Sequence, residues 1–287
     1  MSAAAGELFL IATPIGNLAD ITLRALETLR TVDLVAAEDT RTAKKLFSRY
    51  QITAQLISLH DNSSSKRLDD LLEKLLAGAA IGVISEAGTP GISDPGYRLI
   101  QMAAQAAIRI TPIPGACAAI SALCASALPL DSFYFAGFLP NRSGPRQRRL
   151  EELREISATL IFYESPRRLN TTLEVLEKVL GDRPACIARE LTKVYEEFLR
   201  LPLSQLRALG SERSWRGEIT ILVAGYDRES SARDPEALAA VETQIRSRLT
   251  DSDFIKDHSN RDLVDLLLAE FPHLKRRQIY DLVLEKK

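Results

Sequence analysis

The chain has 287 residues, of which 46% are hydrophobic and 26% are charged, and its net charge is −1. This length is too great for one ordinary core and suits two α/β domains with a small appendage, in a soluble globular protein. The near-neutral charge excludes a global field that attracts polyanions, so any nucleic acid must bind a local basic patch.

The first 120 residues alternate between short apolar runs and longer segments of helical periodicity, which predict buried strands and covering helices. The strands are predicted at 8–12, 34–37, 55–59, 81–85 and 108–113, and the helices at 23–31, 42–50, 66–76 and 97–106. Strand–helix alternation of this kind predicts an open, parallel, doubly wound sheet.

A second α/β segment begins near Leu130. Its strands are predicted at 132–137, 159–163, 185–189 and 219–224, and its helices at 146–156 and 169–180. The stretch 194–199 is predicted to continue a strand across a bend, which would give a mixed sheet.

A polar linker at 225–235 leads into a tail with helical periodicity at 259–268 and 276–284, which resembles a helix-turn-helix unit. The predicted fold is therefore two α/β domains, the first with a parallel and the second with a mixed sheet, plus a small C-terminal helical domain. The predicted boundaries are 1–120, 121–228 and 235–287.

Cysteine usage and the N-terminus predict a cytoplasmic protein. The three cysteines, Cys117, Cys124 and Cys186, form no C-x-x-C pair and no ligand-like cluster with the histidines, which indicates reduced thiols and no metal site. The N-terminal stretch has too short an apolar run, and no basic region before it, for a signal peptide. The weakly polar run 115–130 is too short to cross a bilayer and predicts a buried helix.

Three loops follow predicted strands of the parallel sheet, at the edge where ligands of such sheets bind. The first, at 13–18, is neither a dinucleotide fingerprint nor a P-loop, although its proline and glycine permit a tight turn against a ligand. The second, at 85–96, has three glycines and two prolines, so it can present bare backbone groups to a small polar ligand. Within it, Ser93 or Asp94 is expected to cap the following helix. The third, at 113–119, permits close approach of a flat ring or a carboxylate. The alternative for each is a tight turn or close packing of small residues.

Seven stretches in a fixed order carry a family resemblance: ATPIGNLADIT (12–22), EDTR (38–41), SEAGTPGISDPG (85–96), PGACAAISAL (114–123), FYESPRRL (162–169), ARELTKVYEE (188–197) and RGEI (216–219). With them the chain resembles the tetrapyrrole (corrin/porphyrin) methylase superfamily, and more closely its branch that modifies ribosomal RNA. The resemblance spans about residues 7–226 and extends into the tail.

The resemblance implies two α/β domains that hold S-adenosylmethionine in the cleft between them, usually in a homodimer. It also implies 2′-O-methylation of a cytidine of 16S rRNA near the decoding centre, in the assembled 30S subunit. By position, it assigns cofactor contacts to Pro14, Ile15, Gly16, Ala87, Gly88, Thr89, Ile92, Asp94, Cys117, Ala118, Tyr163 and Glu190. Thr89 replaces an aspartate of the porphyrin enzymes, so Glu86 or Asp94 is expected to hold the methionine amine.

A ribose hydroxyl is a poor nucleophile while protonated, so a positioned base is expected to accelerate its methylation. The candidates at strand ends are Glu38, Asp39, Glu86, Asp94, Glu164, Glu190 and Lys193. Of these, Glu86 and Glu164 are preferred because each follows a buried strand at the ligand end. The alternative for each carboxylate is a helix cap or a salt bridge to a nearby arginine.

Clusters of basic residues predict RNA contacts, since arginine binds phosphate in a bidentate manner. Four arginines lie in a predicted Gly/Pro loop at 142–149, and others follow the FYES motif or lie in the tail. The candidates are Arg142, Arg146, Arg148, Arg149, Arg167, Arg168, Lys275, Arg276 and Arg277. A solvated charged loop is the alternative. Two other functions stay open: methylation of a tetrapyrrole or a modified protein, and a non-catalytic RNA-binding assembly factor.

Overall fold

The computed structural model describes residues 6–60, 63–93, 96–227, 235–256, 258–271, 274 and 276–285. Asp94 and Lys275, two of the residues singled out above, lie outside the described residues. The chain divides into two compact units, Met1–Gly225 and Tyr226–Lys287. In the described ranges every helix is too short or too polar to traverse a lipid bilayer.

The first half of the first unit, here called the parallel-sheet half, is built on five strands within the described residues. These strands are β1 (Glu7–Ile11), β2 (Leu34–Ala37), β3 (Gln55–Ser58), β4 (Ala80–Ile84) and β5 (Arg109–Ile113). The helices between them are α1 (Leu23–Thr31), α2 (Thr40–Tyr50), α3 (Ser65–Leu76) and α4 (Tyr97–Gln105). The strand order is β3-β2-β4-β1-β5 and every pairing is parallel. The predicted open parallel sheet is confirmed.

Helices cover both faces of this sheet, which explains why its inner strands β1, β2 and β4 are almost continuously apolar. Leu29 and Leu46 of α1 and α2 pack with Ile11 on one face. Leu71 and Leu99 of α3 and α4 belong to the core on the other face, with Leu8. Because successive strand residues point to opposite faces, the single strand β1 contributes to both cores.

The second half of the first unit, the mixed-sheet half, is built on strands β6 to β10 within the described residues. The strands are β6 (Phe133–Phe138), β7 (Thr159–Glu164), β8 (Pro184–Arg189), β9 (Glu197–Pro202) and β10 (Ile219–Val223). The helices are α5 (Ala118–Ala125), α6 (Ser143–Leu153), α7 (Leu169–Leu180) and α8 (Leu203–Glu212). In the order β6-β7-β10-β8-β9, β6 and β7 are parallel and the other pairs are antiparallel. The predicted mixed sheet is confirmed.

Two local predictions in this half were wrong. The stretch 194–199 does not continue a strand across a bend: the chain reverses at 190–196 and β9 returns antiparallel to β8. The segment 142–149 is not a Gly/Pro loop, because the helix that was predicted at 146–156 already begins at Ser143. Pro145 fits in the first turn of α6 because the N–H it lacks would have no acceptor within the helix there.

The second unit has a core of its own. Its helices are α9 (Pro235–Thr250), α10 (Ser252–Ile255), α11 (Asn260–Glu270) and α12 (Arg276–Leu284). Ile245, Leu263 and Ile279 bring α9, α11 and α12 together in one buried cluster. Ser259 caps α11 and forms a capping box with Asp262, which stabilises the start of that helix. The predicted helices at 259–268 and 276–284 are confirmed.

Candidate functional site

A cavity of about 390 Å³ lies between the two halves of the first unit, at the carboxyl end of the parallel sheet. The parallel-sheet half contributes the loops after β1, β2, β4 and β5, represented by Ile15, Glu38, Gly88 and Cys117. The mixed-sheet half contributes the facing wall, which includes Tyr163. The volume is within the range of sites for small molecules.

The loops after β1 and β4 are joined through their backbones. The Thr13 N–H donates to the Gly88 carbonyl at 2.9 Å, and the Gly88 N–H donates back at 3.0 Å. Gly88 adopts a φ of 83°, and a Cβ there would lie 3.3 Å from Ile15 Cγ2. The Ser85 hydroxyl donates to the Gly88 carbonyl at 3.2 Å. Glycine at 88 therefore meets both the positive φ and the close approach of Ile15.

The loop after β5 is tied to its neighbours on both sides. The Thr89 hydroxyl donates to the Ala116 carbonyl at 3.2 Å, which links the glycine-rich loop to the start of α5. The Ala119 N–H donates to the Tyr163 hydroxyl at 3.1 Å. The Tyr163 ring also packs edge-on against Phe135, with 5.0 Å between centroids. The three loops singled out by sequence thus converge, and Tyr163 ties them to the mixed-sheet half.

The glycine-rich loop does not end as predicted. The residue before α4 is Gly96, with a φ of 121°, and no side chain of the described residues caps the helix. Ser93, an expected cap, has a φ of 62° and lines the cavity. Its Oγ lies 3.2 Å from the position that a Cβ would occupy at Gly137, so Ser93 packs against β6 instead. Ser93 therefore does not cap α4, and Asp94, the other expected cap, lies outside the described residues.

Four glutamates line the cavity: Glu38, Glu86, Glu164 and Glu218. The Glu86 N–H donates to Glu38 Oε2 at 3.1 Å, which fixes the Glu38 carboxylate at the carboxyl end of the parallel sheet. The Glu86 carboxylate itself is exposed and accepts no hydrogen bond from the described residues. It is therefore available to a ligand.

The Glu164 carboxylate is occupied by neighbours of its own half. It accepts hydrogen bonds from the Thr172 hydroxyl and the Ser165 N–H, both at 2.7 Å. Arg168 Nη2 lies 3.3 Å from it, and the Glu164 side chain is 1% exposed. These contacts join the end of β7 to the start of α7, so Glu164 shapes the cavity wall.

Asp39, another candidate base, caps α2. It accepts from the Arg41 N–H at 2.7 Å and pairs with the Arg41 guanidinium at 2.9 Å. These hydrogen bonds lower the pKa of Asp39 to about 2. The Asp39 carboxylate is thus committed to the helix start and remains ionised.

Glu190 does not line the cavity and instead supports a segment that does. Its Oε1 accepts from Lys193 Nζ at 2.9 Å and from the Glu218 N–H at 3.1 Å. The Lys193 hydrogen bond holds the pKa of Glu190 below its ordinary value. A Cβ on Gly217 would lie 2.1 Å from Glu190 Oε1. Glycine at 217 therefore lets Glu190 fix the backbone of the cavity-lining residues Gly217 and Glu218.

The turn at 190–193 also reaches the parallel-sheet half. The Asn17 N–H donates to Thr192 Oγ1 at 2.9 Å, and a Cβ on Gly16 would lie 2.7 Å from the same oxygen. Glu190 and Thr192 have φ values of 52° and 65°, an unfavourable backbone for residues with side chains. This strained turn places Leu191 in the cavity wall and in one buried cluster with Ile15.

Most of the residues expected to contact a cofactor line the cavity: Ile15, Ala87, Gly88, Thr89, Ile92, Cys117, Ala118 and Tyr163. Three others do not line it: Pro14, Gly16 and Glu190. Sequence reasoning missed most of the mixed-sheet wall: Phe138, Ser165, Pro166, Ala188, Leu191, Gly217, Glu218, Ile219 and Thr220. The FYESP and RGEI motifs were the available signal, since each contains several of these residues.

The basic residues predicted to bind RNA occupy different environments. Four are exposed and form no ion pair with other described residues: Arg142, Arg148, Arg167 and Arg277. Three pair with acidic side chains: Arg149 with Glu152 at 2.8 Å, Arg168 with Glu164 at 3.3 Å and Arg276 with Asp265 at 2.7 Å. Arg146 is buried.

Comparisons with known proteins agree with this architecture. The family model described as Tetrapyrrole (Corrin/Porphyrin) Methylases matches residues 7–207. A protein named Ribosomal RNA small subunit methyltransferase I from Synechocystis sp. (strain ATCC 27184 / PCC 6803 / Kazusa) is 45% identical, over 98% of both chains. Proteins of the same name from Micromonospora olivasterospora and Vibrio cholerae are 43% and 41% identical, over 98% and 97% of this chain and 87% and 94% of theirs.

Solved structures show the same fold at low sequence identity. A diphthine synthase superposes with a TM-score of 0.62 at 14% identity, over 77% of this chain and 90% of that chain. A cobalt precorrin-4 methyltransferase superposes with a TM-score of 0.57 at 17% sequence identity, over 76% of this chain and 94% of that chain.

Proposed function

Because this chain belongs to the tetrapyrrole methylase family and, within it, to the ribosomal RNA small subunit methyltransferase I group, we propose that it methylates small-subunit ribosomal RNA with S-adenosylmethionine. The acceptor that we propose is the 2′-hydroxyl of a cytidine of 16S rRNA near the decoding centre, in the assembled 30S subunit. The proposed active form is a homodimer. The observation that carries this function is the cavity between the two halves, together with the names of relatives that cover nearly the whole chain.

The cavity has the chemistry that S-adenosylmethionine requires. The cofactor has a flat adenine at one end and positive sulfonium and ammonium groups at the other. The apolar wall of Ala188, Leu191 and Ile219 suits the adenine, together with Tyr163. Glu38 and Glu86, on the parallel-sheet side of the cavity, offer negative charge to the cationic end, where attraction is strong in a partly enclosed site. The backbone of the glycine-rich loop, pinned to Thr13, would hold the methionine end.

The cofactor supplies an already activated methyl group, so the protein has mainly to orient the acceptor and remove its proton. Orientation alone can contribute an effective molarity of roughly 10⁵–10⁸ M. The Glu86 carboxylate accepts no hydrogen bond from the described residues, whereas that of Glu164 already accepts from Thr172 and Ser165 and pairs with Arg168. We therefore prefer Glu86 as the base that accepts the ribose proton, with Glu164 as a support of the wall.

Two measurements test this function. Saturating S-adenosylmethionine should stabilise the protein by about 2.7 kcal/mol at a hundredfold excess over Kd, which a thermal melt detects. Labelled cofactor should then transfer its methyl group to 30S particles that lack the modification, and nuclease digestion should place the label on a cytidine ribose. Transfer to a porphyrin precursor instead would support the second enzyme hypothesis. The absence of any thermal shift would support a non-catalytic assembly factor.

The Glu86→Gln substitution separates catalysis from cofactor binding. Removal of the base should lower turnover by about 10²–10⁴-fold while the affinity for S-adenosylmethionine changes little. Single-turnover methylation and isothermal titration measure the two quantities, and Glu73→Gln, an exposed change on α3, is the control. A loss of affinity at unchanged turnover would assign Glu86 to the methionine amine instead. A loss of turnover confined to Glu164→Gln would reverse our preference.

A further inference from the structure

Arg146 is a buried arginine that has no counter-charge among the described residues. It lies near the start of α6 and is 6% exposed, while the neighbouring Gln147 and Arg148 are exposed. Within the described part of the chain its guanidinium makes no hydrogen bond or ion pair, and its Nε is shielded from solvent without a partner. A buried guanidinium is costly unless an acceptor satisfies it, so this side chain indicates an anionic ligand.

The start of α6 has further unused donors. Its N-cap residue, Arg142, provides no capping hydrogen bond. Among the described residues no acceptor receives the N–H of Ser143 or Gly144, and Pro145 has no N–H. A Cβ on Gly144 would meet no atom within 4 Å, so the space beside this turn is open. Because helical side chains lean toward the helix N-terminus, we expect Arg146 to extend over the same turn.

We propose that the start of α6 is a phosphate site that binds a phosphodiester of the RNA substrate. The N–H groups of Ser143 and Gly144 donate to one phosphate oxygen, and the helix dipole adds positive potential. The Arg146 guanidinium contacts the same phosphate and gains the acceptor that the protein does not provide. This assignment rests on the proposed function, because it specifies where that substrate is held.

The loop at 139–142 connects this phosphate site to the cavity. β6 ends at Phe138, which lines the cavity, and α6 begins at Ser143. Even a fully extended chain limits the distance between the Cα atoms of Phe138 and Ser143 to about 18 Å. Arg168 fixes the loop by donating to the Leu139 carbonyl at 2.7 Å, and it also pairs with Glu164 of the cavity wall. An RNA strand with a ribose in the cavity therefore reaches the site within about five nucleotides.

The test compares two arginines of one helix in the full-length protein. Arg146→Met removes the proposed ligand, and Arg148→Met removes an exposed charge from α6. Binding to 30S particles that lack the modification is measured from 50 to 200 mM salt. For Arg146→Met we expect binding about tenfold weaker and a salt slope lower by about 0.7. Arg148→Met should weaken binding less, and both variants should bind S-adenosylmethionine like the wild type.

Gly144→Glu tests the same site without altering a buried residue. Its carboxylate would occupy the open space beside Ser143 and repel a phosphate, so particle binding should fall as in Arg146→Met at an unchanged melting temperature. If Arg146→Met does not fold, this variant decides the matter. Normal binding by Gly144→Glu would overturn the proposal.

Three further outcomes would also overturn it. Equal losses of particle binding in Arg146→Met and Arg148→Met would indicate that RNA responds to the positive charge of α6 and not to a specific contact of Arg146. Weaker binding of S-adenosylmethionine by Arg146→Met would assign that arginine to the cofactor carboxylate. Wild-type binding and methylation of particles by Arg146→Met would reject the phosphate site while the proposed function stands. Because particle binding needs no methyl transfer, a wild-type protein that binds but does not methylate would reject the proposed function alone.

Discussion

The cysteines occupy three environments that differ in access to solvent. Cys117 lines the cavity, Cys124 is exposed and Cys186 is buried, and burial raises the pKa of the Cys186 thiol to about 11. The thiolate is the reactive form, so a buried thiol of high pKa reacts slowly with alkylating agents.

This difference gives a test of the cavity that does not depend on activity. In native protein at pH 8, iodoacetamide should label Cys124 and leave Cys186 unmodified. Cys117 should be labelled more slowly than Cys124, and saturating S-adenosylmethionine should protect it, because the cofactor would cover its sulfur. Peptide mass spectrometry gives the labelling rates. Equal labelling of Cys117 with and without cofactor would mean that the cofactor binds elsewhere.

For single residues, the sequence predicts where a side chain lies better than it predicts what that side chain does. Glu86 and Glu164 both follow buried strands in the sequence, and both line the cavity. The sequence does not show that Thr172 and Arg168 occupy one of them, since these contacts depend on how α7 packs. For Glu190 the obstacle is greater, because its partner, the Glu218 N–H, is 28 residues away in the chain.

Glu197, the first residue of β9, pairs with Arg189 and Arg213. Replacement of its carboxylate should make the stability of the fold less sensitive to acid. Hydrogen bonds from Arg213 and then Arg189 hold the pKa of Glu197 below its ordinary value of 4.5. The folded state therefore binds this proton less readily than the unfolded chain. Its contribution to stability is present above pH 4.5 and is lost as pH falls through the lower folded pKa.

Glu197→Gln should lower the free energy of unfolding by about 1 kcal/mol at pH 7. It should also flatten the rise of stability with pH below 4.5. Urea unfolding from pH 3 to pH 7 measures both effects, with Glu73→Gln as the control. If the free energy of unfolding of Glu197→Gln still falls steeply below pH 4.5, other carboxylates are responsible for the acid sensitivity.

The contact between the loop after β1 and the 190–193 turn should control cofactor affinity. In Gly16→Ala the new Cβ would lie 2.7 Å from Thr192 Oγ1 and 2.8 Å from Lys193 Cγ. The turn must move away, which separates Leu191 from Ile15 across the cavity. We expect S-adenosylmethionine to bind about tenfold more weakly. Calorimetry measures the affinity, Gly144→Ala is a control with open space around it, and equal affinities would contradict this role.

At the scale of elements, local patterns account for the agreements, and the error at 194–199 comes from non-local pairing. The helix 169–180 was predicted with its observed bounds because its apolar residues recur at helical spacing and Gly181 ends it. β9 begins at Glu197 because it pairs with β8 beyond a turn, and its own residues show no clear alternation. α8 was not predicted: its leucines, Leu203, Leu206 and Leu209, recur at helical spacing, but Gly210 interrupts a stripe shorter than that of 169–180.

For the whole molecule, the division into two units predicts separable roles. The first unit contains every residue of the cavity, and the second has its own buried core. Deletion of 235–287 should therefore leave the affinity for S-adenosylmethionine and the cofactor-induced thermal shift within about twofold. Methylation of 30S particles should be abolished, as a labelled-cofactor assay would show. Normal methylation by the truncated chain would mean that the tail does not contribute to RNA docking.

The position of β1 at the centre of its sheet has a consequence for synthesis on the ribosome. Leu8 pairs with Ile81 and Ile110, so the strand emerges long before either neighbour exists. At about 5–20 residues per second, the 73 residues from Leu8 to Ile81 take roughly 4–15 s to translate. Throughout that interval the nascent segment LFLIA has no native strand to pair with, and unpaired strand edges are prone to aggregate. Slow translation through the first eighty codons should therefore increase the dependence of this protein on chaperones that bind emerging chains.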